Sequence, residues 1–186
     1  MIYPPSEDSH LIEQEVKKYA LNKRVLDIGS GSGILARAAI NAGAKSALAS
    51  DINQESIKLL KKKKIPSIQS DLFSKIKGKF DLIIFNPPYL PQEKREDRES
   101  QLITTGGKKG DEIIIKFLHQ APSYLNKNGI ILILLSSLTQ RKRILVLIKK
   151  QNLKKRKIAE KNLFMEKLEV WRIKKSKHLK PWSAKE

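Results

Sequence analysis

Cysteine is missing from the chain. That excludes disulfides and cysteine metal sites, and it suits a reducing, cytoplasmic setting. Histidine occurs at three positions only, His10, His119 and His178. They lie far apart with no ligand spacing, so no metal is expected. No apolar run reaches the 18 or so residues that a membrane helix needs. The longest, "GIILILLSSL" (129–138), fits a buried strand. Met1 is followed almost at once by Pro4-Pro5-Ser6-Glu7-Asp8, which is no signal peptide, and no membrane partner is expected. Acidic residues are scarce in one half. Residues 1–100 carry 17 Lys/Arg against 13 Asp/Glu, whereas residues 101–186 carry 21 against 6. The whole chain has a net charge of +19. A field of that sign favours an anionic partner such as RNA or a ribosome, reached through the C-terminal half. A Lys-rich composition shaped by a hot habitat or an AT-rich genome is the plainer alternative.

What is present is enough for one soluble domain. The 186 residues are 40% apolar and 31% charged, a size that supports a single full core. A domain over 1–175 and a basic tail over 176–186 are expected. Strand-like and helix-like runs alternate along it. Helices are predicted over 7–20 (capped by Ser6), 33–43, 53–64 (capped by Asn53), 110–125 (kinked or ended by Pro122) and 138–151. Strands are predicted over 24–29, 44–51, 66–71, 80–86 and 130–136, with "NKNG" (126–129) as a turn. The unbroken apolarity of "IILILLS" marks it as the most central strand. Two final strands, about 153–160 and 167–174, can pair as an antiparallel hairpin. Residues 92–109 read as polar and irregular. This alternation argues an open, mostly parallel α/β sheet with helices on both faces.

Two motifs carry chemistry. In "VLDIGSGSG" (25–33) a strand ends and a helix opens, with Gly29, Gly31 and Gly33 letting backbone pass close to a ligand. The dinucleotide fingerprint needs a third glycine where Ile34 stands. Asp27 ends the strand, badly placed against a pyrophosphate and well placed against an ammonium group. This favours S-adenosylmethionine, which has an amino-acid end and no phosphate. Asp51 ends the second strand, where a carboxylate can accept the ribose hydroxyls, with Ile52 beside it. Asp71 ends the third, positioned for the adenine amine, with Leu72 or Phe73 packing the ring. Taken singly, each acid has a bland reading as a cap or turn residue.

The second motif, Asn86-Pro87-Pro88-Tyr89, ends the fourth strand on the same edge. A conjugated nitrogen is a poor nucleophile. Acceptors on its two N–H groups can hold it pyramidal, and the Asn86 side-chain carbonyl and the Pro87 main-chain carbonyl can be that pair. Pro88 fixes the direction of the 87 carbonyl. Tyr89 offers a flat face on which a planar amide or base can stack. No strong base is needed when the electrophile is cationic and positioning does the work.

At this point "YPPSEDSHLI" (3–12), "DIGSGSG" (27–33), "SDLF" (70–73), "FNPPYLP" (85–91) and "GGKKGDE" (106–112) together resemble the release-factor glutamine methyltransferases, the HemK family. The resemblance is to its short archaeal and eukaryotic branch and is collinear over about residues 3–175. It implies a class I S-adenosylmethionine-dependent methyltransferase, Rossmann-like, with a seven-stranded, mostly parallel sheet and an antiparallel C-terminal hairpin. The reaction it implies is methyl transfer to the glutamine amide of the Gly-Gly-Gln motif in a class I peptide chain release factor, a step in translation termination. It further implies that Ser6–Ser9 fold over the cofactor, with Ser9 touching its amino-acid end. A small zinc-binding activator protein is implied too, covering a patch beside the third strand. An amino-methyltransferase acting on adenine or guanine of RNA or DNA through the same Asn-Pro-Pro-Tyr clamp stays open, as does a non-catalytic binder that kept the fold.

Overall fold

The computed structural model describes residues 4–88 and 110–176. Among these, seven strands form one sheet: β1 (Arg24–Ile28), β2 (Ser46–Asp51), β3 (Ser67–Gln69), β4 (Phe80–Phe85), β5 (Leu125–Ser136), β6 (Leu153–Leu163) and β7 (Glu166–Lys175). Their spatial order is β3-β2-β1-β4-β5-β7-β6. The first five are parallel, and β7 pairs antiparallel with both β5 and β6. The described helices are α1 (Glu7–Tyr19), α2 (Ile34–Asn41), α3 (Gln54–Lys62), α4 (Glu112–Gln120) and α5 (Arg141–Lys150). None of the described helices is long and apolar enough to cross a membrane.

The strand periodicity of two sorts side chains into two cores. On one face Leu26, Ile28, Ile83, Phe85, Ile131 and Ile133 meet Ile114 and Phe117 of α4 and Ile144 and Leu147 of α5. On the other, Val25, Leu82, Ile84, Leu132 and Leu134 meet Ile12 and Val16 of α1 and Leu35 and Ala38 of α2. Strands buried on both faces have no polar side to spare, which is why β4 and β5 read as nearly continuous apolar runs.

Several local expectations are corrected. β4 is the middle strand of the seven, and β5 lies one place away. Crossover connections, not apolarity, decide that position. "NKNG" is no turn: β5 begins at Leu125, and the segment is absorbed as a bulge. Phe80 pairs with Leu125 and Leu82 with Ile130, so extra residues on β5 face a short step on β4. The glycine is required there, since a Cβ on Gly129 would lie 2.9 Å from the Phe80 carbonyl oxygen. Ser6 occupies the N-cap position of α1 but makes no side-chain cap bond, unlike Asn53, whose side chain accepts from the Glu55 N–H. Pro122 ends α4, and a 3-10 turn follows over Ala121–Tyr124. β6 and β7 extend into "KNLFME", leaving only Phe164 and Met165 between them.

Candidate active site

The carboxyl ends of β1, β2 and β4 form one edge, and most of the predicted site residues collect there. Asp27 on β1 is 1% exposed. Its Oδ2 accepts from the Ser30 hydroxyl at 2.5 Å and from the Ala36 N–H at 3.1 Å. Its Oδ1 is buried and has no partner. Burial pushes this carboxyl up to about 7, against the pull of the Ser30 and Ala36 donors and with a smaller push from the charge of Asp51. A buried acceptor with no donor is costly unless something supplies one.

The glycine loop is pinned by the next acid. Asp51 Oδ2 accepts from the Gly31 N–H at 2.8 Å and Oδ1 from the Asn53 N–H at 2.8 Å. Gly29, Gly31 and Gly33 all have positive φ. Space differs among them. A Cβ on Gly31 would meet nothing within 4 Å, so the loop is open in front of it; on Gly33 it would lie 2.6 Å from Leu60 Cδ2 and 2.9 Å from Ile65 Cδ1. Ile52, next to Asp51, is 57% exposed. A large apolar side chain left in solvent beside the loop is available to a ligand ring.

Asp71 stands differently from expectation. β3 ends at Gln69, and Asp71 is an exposed residue beyond it whose Oδ2 pairs with Lys116 Nζ at 2.8 Å. Leu72 follows with φ of 46° and is buried. Phe73, the other residue expected near the adenine, is almost wholly buried. It is locked in the core, 4.6 Å from the Tyr124 ring and 5.5 Å from the Phe117 ring.

Asn86 follows β4 directly. The residue before it, Phe85, is buried and stacks on Phe117 at 4.4 Å, which fixes the end of the strand. Asn86 Nδ2 donates to Asp8 Oδ2 at 3.0 Å. Its Oδ1 is buried with no partner. The amide is therefore oriented: the nitrogen is committed to Asp8, and the carbonyl is left as an acceptor. Asp8 is itself held, with Oδ1 accepting from the Ser9 N–H at 2.6 Å and the Ser9 hydroxyl at 3.2 Å. The first turn of α1 thus touches the β4 edge through Asp8, and Ser9 is buried behind it.

The expectation that Ser6–Ser9 fold over the cofactor singles out Ser9 and not Asp8. An acid in a first helical turn is satisfied by the helix dipole alone, and nothing in the sequence signals its bond to Asn86. Sequence reasoning also missed Asp111, fully buried at the start of α4, with Oδ1 2.9 Å from Arg143 of α5. Pro87 and Pro88 are described. Tyr89, Gly106 and Gly107, and the irregular segment 92–109, lie outside the described residues.

A doubly wound sheet with an acid-and-glycine pocket and an oriented carboxamide on one edge defines an S-adenosylmethionine-dependent methyltransferase, the cofactor being the group this donor set fits. The family model for the methyltransferase small domain matches residues 7–165. A Methanocaldococcus jannaschii protein provisionally named a protein N5-glutamine methyltransferase is 42% identical over 76% of this chain and 75% of its own length. The release factor glutamine methyltransferase of Borreliella burgdorferi is 34% identical over 60% of this chain, which spans 44% of that longer protein. A chain of the E. cuniculi Mtq2–Trm112 complex, described as responsible for methylation of the eRF1 termination factor, superposes with a TM-score of 0.78 at 22% identity, covering 94% of this chain and 99% of that one. The chain belongs to the methyltransferase small-domain family and, within it, to the HemK-like protein glutamine methyltransferases.

Proposed function

We propose that this chain methylates the side-chain nitrogen of the glutamine in the Gly-Gly-Gln motif of a class I peptide chain release factor. One observation carries the reading. The Asn86 carboxamide is held by Asp8 so that a buried, unpartnered carbonyl is left to accept from an N–H group. An amide –NH2 of glutamine is a partner of that chemistry. The name of the Methanocaldococcus relative supports a protein glutamine as acceptor, and that of the Borreliella relative supports a release factor as its carrier.

When bound, S-adenosylmethionine supplies a methyl group on a cationic sulfur. The residues that would hold it are Asp27 through Oδ1 to the ammonium, Gly29, Gly31 and Gly33 beneath the chain, and Asp51 and Ile52 at the ribose and adenine. Ser9 would lie against the amino-acid end. Asp71 and Leu72 remain candidates for the adenine, with Lys116 exchanging away from Asp71 on binding. The protein's part in the reaction is to orient. The Asn86 and Pro87 carbonyls accept the two amide hydrogens, Pro88 stiffens the backbone, and Tyr89 gives the stacking face. The proton leaves after transfer, when the nitrogen has become acidic, so no strong base is required.

A small zinc-binding activator covering the free β3 edge, and RNA or ribosome contact through the basic C-terminal half, complete the proposal. Its setting is the cytoplasm, where termination occurs. The test is transfer of radiolabelled methyl groups to purified release factor, to a variant with the motif glutamine changed to alanine, and to tRNA. Label on release factor that vanishes with the glutamine is the expected result. Label on tRNA, or on both release factors equally, overturns the reading in favour of a nucleic-acid amine or another side chain.

A further inference from the structure

The sheet edge opposite the active site carries a second feature. β6 and β7 start and finish there, because β7 runs antiparallel to β5: Lys174 pairs with Ile130 near the β5 start, and Leu168 pairs with Ser136 at its end. In the half of the hairpin at this far edge stand Lys154, Lys155, Arg156, Lys157, Arg172, Lys174 and Lys175, with no acid among them; Lys157 reaches Glu160 of the other half and Lys155 lies over the Trp171 ring. The hairpin's three acids, Glu160, Glu166 and Glu169, all lie in the other half.

The pairing register makes this arrangement costly. Lys154 faces Lys174 and Arg156 faces Arg172 directly across the ladder. Like charges directly opposite one another destabilise a sheet. Lysines on an edge strand have an ordinary explanation, since they block edge-to-edge association. That explains β6 and not β7, which is an interior strand. The four side chains share one face with Ile130, and beside them Lys127, Asn128 and Gly129 of the bulge close a hollow lined also by Arg172, Lys174 and Lys175 and by no acid. At its inner wall Arg172 lies over the Tyr19 ring at 5.7 Å and donates to its hydroxyl at 3.3 Å. Lys127, Lys154, Arg156, Lys174 and Lys175 are exposed.

We infer that this face is an RNA-docking surface, separate from the catalytic edge, on which a phosphate backbone lies along β6 and β7. Cations on alternate residues of a strand recur every ~6.7 Å, a regular line of charge of the kind that neutralises a phosphate backbone. Among the described residues, Ile130 is the one apolar side chain that lines the hollow, with no aromatic or cluster of apolar anchors of the kind that centres a protein–protein interface. Two facing rows of positive charge repel one another less under an anionic polymer than under small counterions alone, and the polymer releases those counterions when it binds. The choice of RNA over DNA rests on the proposed role in termination. The polyanion site itself does not.

The test is binding of a fluorescein-labelled RNA stem-loop to the full chain across a KCl series. The expected result is a logarithm of affinity that falls linearly with the logarithm of salt. Lys154→Gln/Arg156→Gln/Lys174→Gln should weaken binding at least tenfold and flatten that slope by about 2–3. Lys127→Gln/Lys175→Gln repeats the test from the neighbouring positions and should weaken binding as well, so misfolding of one variant leaves the question answerable. Lys58→Gln/Lys61→Gln/Lys62→Gln on α3 removes the same charge elsewhere and should leave affinity within about twofold. Equal losses in the α3 variant, or affinity unchanged in both hairpin variants, overturn the site. Equal displacement of the RNA by polyglutamate assigns the face to an acidic protein and overturns the RNA docking. Tighter binding to the matching DNA hairpin overturns the choice of RNA. RNA binding that is intact in a protein that labels no release factor would leave this site standing and remove the proposed substrate.

Discussion

The two ends of this sheet are opposites. At the carboxyl edge, buried acceptors are short of donors: Asp27 Oδ1 and Asn86 Oδ1 have no partner at all. At the far edge the polar groups of the β6–β7 hairpin are exposed, cationic and short of anions. One edge waits for N–H groups and a positive charge, the other for phosphates. The contrast teaches that unmet polar demand can be met in two ways. Buried demand selects a small ligand by geometry, because a desolvated acceptor without a donor is expensive. Exposed demand is screened and unspecific in shape, and it selects a partner by charge density alone.

If the ends are independent, changes at one should be silent at the other. The largest expected effect is that of Asn86→Ala, which should lower kcat for release-factor methylation about 100-fold or more, as removal of a donor or acceptor to the reacting group does elsewhere. RNA affinity should stay within about twofold in the same variant. A rate near wild type would remove Asn86 from the reacting centre. A parallel loss of RNA binding would show that the ends are one site.

Next comes the charge state of Asp27. Its carboxyl sits at about 7 because burial disfavours the anion. An ammonium ligand needs the anion, so cofactor binding must drive a proton off below that pH. The dissociation constant for S-adenosylhomocysteine should therefore be flat above about pH 7 and rise toward tenfold per pH unit below it. Calorimetry in two buffers of different ionisation enthalpy at pH 6 should register close to one proton released. No release at that pH would detach Asp27 from the ammonium.

Asp8→Ala should have a smaller effect, a fall of about tenfold in kcat. Asp8 acts through Asn86: without it the amide can flip and present its nitrogen where the carbonyl is wanted. Cofactor affinity should hold within about threefold, on the view that Asp8 contributes little to the pocket itself. A loss confined to cofactor affinity would make Asp8 part of the pocket instead.

How legible this was in the sequence follows the same divide. Strand–helix alternation, the acids Asp27 and Asp51 at the ends of the first two strands and the Asn-Pro-Pro stretch are local patterns, and each lies where the pattern places it. What was hidden depends on contacts between distant segments. The Asp8–Asn86 bond joins residues far apart in sequence, and the rank of β5 in the sheet is set by where the crossovers return. "NKNG" misled because a bulge and a turn recruit the same residues, glycine included, for the same steric reason. The third strand was read too long because it is an edge strand of three residues, and its terminal acid was placed on it by analogy with the strands before.

The smallest predicted effect concerns stability of the ligand-free protein. A carboxyl whose folded value lies above its unfolded value of 3.8 keeps a proton in the folded state that the unfolded chain has lost. Between about pH 4 and about pH 7 the unfolded state binds fewer protons, so this group makes stability fall as pH rises, and its contribution is constant above that range. Three units at 1.36 kcal/mol each set a ceiling of ~4 kcal/mol. Asn at this position can keep its oxygen where Oδ2 accepts from both Ser30 and Ala36, and it carries no charge to desolvate. Asp27→Asn should thus raise the Tm of the ligand-free protein at pH 8 by about 4–8 °C, if about half of that ceiling is realised at 2–4 °C per kcal/mol. At pH 4 the two proteins should melt together, and saturating S-adenosylhomocysteine should reverse the order at pH 8, because only the wild-type carboxylate gains a cationic partner. A variant no more stable than wild type at pH 8 would mean that the unpartnered Oδ1 imposes no strain on the empty pocket. The carboxyl edge would then differ from the cationic far edge in sign alone and not in the kind of demand it makes.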